Sequence, residues 1–397
     1  MGEGAADDPD DWRDSTRLIR AGQGGEIRAR TVGPPVQHGS TVLLPNAAAL
    51  YDWTNFVTYG RQGLAAQEAL AGGIKALEGA GHAELYASGM AAISGALLAL
   101  LRAGDEVLVA DCVYAPTRRF CDKVLKRFGI STRYFAGSAS PENVLTMAGE
   151  ATRMILMESP GSLTFEVQDL PGIAALARAR GILTAVDNTW AAGLLFRPLA
   201  HGVDLSIQAL TKYVCGHSDV FLGSVATNDA RLAGLLTAMS EDAGWAVAPD
   251  DAYLALRGLR TLPTRMARHA EAGLQVARWL QAQAGVARVL HPALPGCPGH
   301  EIWARDFSGA SGLFGVVLAP ASEAAVHALL DALKLFGLGF SWGGFESLAI
   351  YCDPQLKRRR QPPNFDGPLL RLHIGLEDPA DLIDDLGRGL DAFRAAR

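Results

Sequence analysis

Three groups of residues in this 397-residue chain have types and positions suited to chemistry. Lys212 stands just after an apolar run, 205–210, and before a Gly-His-Ser loop. Lysine normally stays solvated at the surface. An amine at the end of a buried run is therefore an ordinary turn residue or a reactive group. Asp187 ends another apolar run, 183–187. A carboxylate there is costly unless paired. It acts as a cap or loop acceptor, or it holds a proton on a heteroaromatic nitrogen. Ser88-Gly89-Met90 follows a short stretch, 84–87, and opens a helix-like run. Gly89 permits close backbone approach, and a helix start offers free N–H groups and a positive dipole end. That is an anion cradle or an ordinary serine N-cap.

The elements that must position these residues alternate. Residues 106–111 (EVLVAD), 153–159 (RMILMES), 182–189 (ILTAVDNT) and 205–210 (LSIQAL) are near-continuous apolar runs. Such runs suit strands covered on both faces. Helical patterns lie between them, including 116–129 and 170–181, the second ending in Gly181. The alternation from 63 to 257 predicts a doubly wound, mostly parallel α/β sheet. Ligands bind beyond the carboxyl ends of such strands, so Lys212, Asp187 and the 88–90 turn should meet in one crevice. Pyridoxal phosphate needs those three groups. Its aldehyde condenses with an amine, its ring nitrogen needs an acid and its phosphate needs an anion site. Tyr114, just after the apolar run at 106, is placed to stack on the ring or to fill a core or hinge.

Around this unit, residues 1–62 lack periodicity and read as an arm of loops. A long helix over 257–283 leads into a smaller C-terminal α+β domain. There 311–319, 347–352 and 369–375 read as strands mixed with two helices. The predicted boundaries are 1–62, 63–258 and 259–397. Hydrophobic residues make up 49% and charged residues 20%, which allows a large core. A net charge of −6 argues against a nucleic-acid surface. The basic run Lys357-Arg358-Arg359-Arg360 precedes QPPNFDGP and reads as a solvated loop. The longest apolar helical run, 91–101, is too short to span a bilayer, and the start lacks a signal-peptide pattern. Five scattered cysteines without a C-x-x-C pair predict a reduced, cytoplasmic protein. His291, Cys297 and His300 flank a turn without paired ligand spacing, so no metal site is expected. The glycines at 22–25 follow no strand and form no dinucleotide fingerprint.

Residues 185–224, AVDNTWAAGLLFRPLAHGVDLSIQALTKYVCGHSDVFLGS, resemble the signature of the Cys/Met-metabolism pyridoxal-phosphate enzymes. Within that family, HPALPG (291–296), ASGLFG (310–315), SWGGFESL (341–348) and LLRLHIGLED (369–378) resemble the branch acting at Cβ of cystathionine. The γ-acting relatives usually carry leucine where Trp342 stands. The resemblance runs from about Thr16 to the C-terminus. It implies an aspartate-aminotransferase-like, fold-type-I enzyme, usually a homotetramer of two tight dimers. Lys212 matches the lysine bonded to the cofactor, Asp187 its ring-nitrogen partner and Tyr114 the stacking tyrosine. Ser88, Gly89, Met90 and Thr211 match phosphate-binding positions. Tyr59 and Arg61 match a pair reaching the phosphate in the neighbouring subunit. Ser341 and Arg371 match the clamp on the substrate α-carboxylate, with Trp342 beside them. A planar guanidinium suits that clamp because it binds a carboxylate bidentately; alone, Arg371 would read as a surface arginine.

The resemblance implies β-elimination at a C–S bond, turning L-cystathionine into L-homocysteine, pyruvate and ammonia in methionine biosynthesis. A broader cysteine-S-conjugate lyase or desulfhydrase, a γ-acting lyase and a homoserine-derivative sulfhydrylase share fold and cofactor, and they stay open. Three positions depart from the pattern. Leu210 fills a place that is usually small, and Phe340 and Phe345 replace tyrosine. Hydroxyls near or behind the substrate groove are lost, which bears on substrate range.

Overall fold

The computed structural model describes residues 13–20, 30–53 and 55–397. The acidic start of the chain and the glycines at 22–25 lie outside the described residues. The apolar runs form strands β1 (His82–Tyr86), β2 (Glu106–Ala110), β3 (Ser131–Phe135), β4 (Thr152–Glu158), β5 (Leu183–Asp187) and β6 (Leu205–Gln208). With β7 (Gly223–Thr227) they make one seven-stranded sheet in the order β1-β7-β6-β5-β4-β2-β3. Pairings from β6 through β3 are parallel. Strand β7 runs against both its neighbours, β1 and β6. Six strands thus share one direction and end at one edge. The middle of the sheet is buried on both faces, as its unbroken Val, Ile, Leu and Ala predict. Strand β7, GSVAT, was not anticipated, because small residues give no apolar run although all five are buried.

Register places the chemistry. Glu158 at the end of β4 pairs with Asp187 at the end of β5, which pairs with Ile207 of β6. Helix Gly89–Leu100 follows β1 after its Ser88 cap. The 33-residue helix Pro249–Gln281 starts eight residues earlier than periodicity suggested. Pro249 at the first helical position and Asp250 and Asp251 in the first turn are start signals. This helix clamps the chain just after Lys212. The Arg265 guanidinium donates to Tyr213 O at 2.6 Å and Val214 O at 3.1 Å. Gly258 lets the backbones close up, since a Cβ there would lie 2.4 Å from Cys215 O.

The second sheet has the order β10-β11-β12-β9-β8 and a core of its own. Its strands are β8 (Val286–Leu290), β9 (Leu313–Leu318), β10 (Gly337–Leu338), β11 (Leu348–Tyr351) and β12 (Leu369–His373). Four helices accompany it after residue 299, not two: His300–Asp306, Glu323–Ala332, Asp353–Leu356 and Pro379–Ala396. The extra pair have seven and four residues, too short to show a period. Among the described residues, no helix is long and apolar enough to cross a membrane.

The basic run at 357–360 is not a solvated loop throughout. Lys357, Arg358 and Arg360 are exposed, but Arg359 is buried. Its guanidinium donates to Thr164 Oγ1 at 2.9 Å and to Ser162 O, with Glu166 at 3.7 Å. The loop is therefore pinned to residues 162–166, of which Ser162 lines the crevice described next. His291 and His300 use ring nitrogens on backbone carbonyls, at Ser311 and Pro292 respectively. Among the described residues no group of three or more His, Cys, Asp or Glu side chains could hold a metal ion.

Candidate active site

The carboxyl ends of β1, β2, β4, β5 and β6 open into a cavity of about 190 Å³. Ser88, Gly89, Met90, Tyr114, Asp187, Thr211, Lys212, Trp342 and Arg371 all line it. One crevice therefore gathers nine of the twelve residues expected at the site. Ser341 joins them through its hydroxyl, which accepts a hydrogen bond from Lys212 Nζ at 2.8 Å. The other two, Tyr59 and Arg61, lie elsewhere in their own chain. Tyr59 is half exposed, and Arg61 donates to Glu241 O at 2.8 Å.

Lys212 Nζ has two partners. Besides Ser341, the Trp342 ring lies 5.7 Å from Nζ, within cation–π range. Burial, then the Arg371 guanidinium, bring its amine down to about 8, with Asp187 opposing. A neutral, nucleophilic amine is thus accessible near physiological pH. Burial also lowers the Arg371 guanidinium from its usual range. Arg371 Nη2 donates to Phe340 O at 2.7 Å and Ser341 O at 3.2 Å. The same loop is held from below, where Gly343 N–H donates to His373 Nε2 at 3.0 Å. Burial pushes that imidazole down to about 3, so it stays neutral and can accept.

Asp187 receives Thr189 N–H at 3.1 Å and the Thr189 hydroxyl, both on Oδ1. Thr189 Oγ1 also accepts Ala209 N–H at 2.9 Å, tying the acid to the segment that leads from β6 to Lys212. Burial raises the Asp187 carboxyl above its ordinary value, against these hydrogen bonds and Lys212. Ser88 Oγ does cap its helix, accepting Ala91 N–H at 3.1 Å. Gly89 serves packing first: a Cβ there would lie 2.4 Å from Ala209 Cβ. The first amides of the helix have no intrahelical backbone acceptor, and Ser88, Gly89 and Met90 line the cavity. Thr211 lines the cavity, yet its hydroxyl is committed to the Leu222 backbone, donating at 3.1 Å and accepting at 2.9 Å.

Glu158 was missed. It lines the crevice and accepts Tyr114 N–H at 2.6 Å. Burial first, and then neighbouring Asp187, push its carboxyl well above the usual range. The signal was available, because Glu158 ends an apolar strand as Asp187 does. Burial likewise raises the Tyr114 phenol, with Glu158 and Asp187 adding to it. Leu210 is fully buried in the core and does not line the cavity. Phe340 is 76% exposed and does line it, whereas Phe345 does not.

The family model of the Cys/Met metabolism PLP-dependent enzymes matches residues 15–391. The chain belongs to this family. It is 44% identical to the cystathionine beta-lyase of Bordetella avium, over 91% of this chain and 93% of that one. It is 40% identical to cystathionine beta-lyase MetC of Escherichia coli K12, covering 94% and 97%. The crystal structure of metB from Corynebacterium glutamicum superposes with a TM-score of 0.87 at 30% identity, covering 97% of this chain and 99% of that one. The family's fold is thus that of this doubly wound sheet, and its cofactor is pyridoxal phosphate.

The residues fit that cofactor. Asp187 directs both accepted hydrogen bonds to Oδ1, which leaves Oδ2 for a further donor such as a protonated ring nitrogen. Lys212 offers an amine that loses its proton readily. The amides of the 88–90 turn could hold a phosphate. The Tyr114 side chain on the same wall could cover the ring.

Proposed function

We propose that the protein is a carbon–sulfur β-lyase converting L-cystathionine to L-homocysteine, pyruvate and ammonia, a step of methionine biosynthesis. One observation carries the reading. Lys212 Nζ sits 2.8 Å from Ser341 Oγ, and Arg371 holds the backbone of that same serine. A carboxylate anchored by Arg371 and Ser341 would therefore put the attached Cα within reach of the amine. Bound pyridoxal phosphate supplies an electron sink that acidifies the Cα–H of a joined amino acid.

The chain's residues do the rest. Asp187 would keep the ring nitrogen protonated, the Ser88, Gly89 and Met90 turn and Thr211 would hold the phosphate end, and Tyr114 would cover the ring. Tyr59 and Arg61 of a second copy would complete the phosphate site. Lys212 takes the Cα proton while Arg371 and Ser341 hold the carboxylate in line. The Cα–H pair becomes the Cα=Cβ bond, and the Cβ–S pair leaves with sulfur. Lys212 returns its proton to that sulfur, giving homocysteine. The remaining 2-aminoacrylate is hydrolysed by water to pyruvate and ammonia. Trp342, beside the amine, favours β over γ cleavage.

The reading extends to a cytoplasmic homotetramer built of an arm (1–62), a cofactor domain (63–258) and a C-terminal domain (259–397). The holoenzyme incubated with L-cystathionine should release pyruvate with homocysteine. If 2-oxobutanoate with cysteine dominates, the β assignment is wrong.

A further inference from the structure

A second cavity of about 520 Å³ opens on the crevice through a shared wall of Tyr114, Ser162, Leu163, Phe340 and Arg371. Its charge is lopsided. Arg118, Arg119, Lys123, Arg358, Arg360 and Arg371 line it, against one carboxylate, Asp122. That acid is occupied already, accepting Tyr134 Oη–H at 3.0 Å and lying 3.7 Å from Arg360. Arg118 is turned onto Asp111 O at 2.6 Å, and Arg371 onto the Phe340 and Ser341 carbonyls. Among the described residues Arg119, Lys123 and Arg358 have no carboxylate within ion-pair distance. All three are exposed at the rim of the cavity.

A chain of net charge −6 gathers six cations around this one hollow. Low-dielectric walls of one sign concentrate counter-ions there. The hollow begins at Arg371, where the proposed reaction anchors its substrate, so whatever is attached to sulfur must extend toward it. We propose that this vestibule receives a carboxylate on the sulfur substituent. It favours substituents whose carboxylate has no ammonium beside it, because among the described residues no uncommitted acid lines the cavity to pair with one. The inference rests on the β-lyase reading and adds to it a preference, beyond cystathionine, for cysteine S-conjugates with an anionic tail.

Three compounds of equal backbone length separate the cases: S-(3-carboxypropyl)-L-cysteine, L-cystathionine and S-butyl-L-cysteine. The tails are anionic, zwitterionic and neutral. For the holoenzyme, kcat/KM should fall in that order, and the first should decline with added salt while the third should not. In the double variant R119Q/R358Q, the carboxypropyl-to-butyl ratio should drop about tenfold, from two screened pairs of about threefold each. An equal or better kcat/KM for cystathionine than for the carboxypropyl compound would overturn the proposal. So would a ratio that the double variant leaves unchanged. Calorimetric binding of the three compounds to cofactor-loaded Lys212→Ala, which lacks the base for Cα, reads the same order without turnover. Absence of C–S cleavage with all three would sink the reaction, while the binding order would still decide the vestibule.

Discussion

The amine of Lys212 should titrate near pH 8 in the cofactor-free enzyme, more than two units below an ordinary lysine. At pH 7 that leaves roughly 9% of the amine neutral, against about 0.03% for a lysine at 10.5. The gain in nucleophile is about 300-fold, equivalent to about 3 kcal/mol of differential stabilisation. Burial is the largest cause and Arg371 the second, while Asp187 pulls the other way. Arg371→Gln should therefore raise the midpoint but leave it well below 10.5, because burial remains. Asp187→Asn should lower it further. Competitive acetylation with acetic anhydride, read on the Lys212 peptide by mass spectrometry across pH 6–11, measures all three. A wild-type midpoint above about 10, or complete restoration by Arg371→Gln, would refute a burial-led shift. The same shift has a stability consequence. The folded pKa lies below the unfolded one, so the native state sheds its proton first. The penalty is full below about pH 8, is relieved between 8 and 10.5, and this term of apoenzyme stability rises with pH across that window.

Gly89→Ala should destabilise the protein by about 1–3 kcal/mol and weaken cofactor retention, since the new Cβ would lie 2.4 Å from Ala209 Cβ. Adding Ala209→Gly should restore only part of the loss, because the new Cβ would still lie 2.8 Å from the backbone Cα atom at position 209. Additive losses in a double-mutant cycle would contradict the clash. Arg359→Met should cost about 3 kcal/mol and lower the melting temperature by several degrees, as it strips partners from Thr164, Ser162 O and Glu166 at a buried site. A melting temperature within a degree of wild type would return the 357–360 run to a solvated loop.

The parts of this molecule that could be read from sequence are those whose physics is local. A Val-, Ile- and Leu-rich strand announces that it is covered on both faces, and a charged residue at its end announces a crevice. Lys212 and Asp187 follow from that rule, and Glu158 at the end of β4 obeys it equally. Strand β7 is different in kind. GSVAT is buried because its neighbours close over it, and five small residues carry no trace of that in their own hydrophobicity. Arg359 shows the same limit from the charged side. Four consecutive cations look alike, yet the fold turns one inward onto Thr164, Ser162 and Glu166 and leaves the others at the surface. That division matters for the proposed vestibule. The buried arginine fixes the segment to Ser162 and Thr164, and its two exposed neighbours, Arg358 and Arg360, line the second cavity. The charge that a substrate tail would meet is therefore set by a hydrogen bond between residues 195 apart in sequence, Arg359 to Thr164, rather than by the basic run itself.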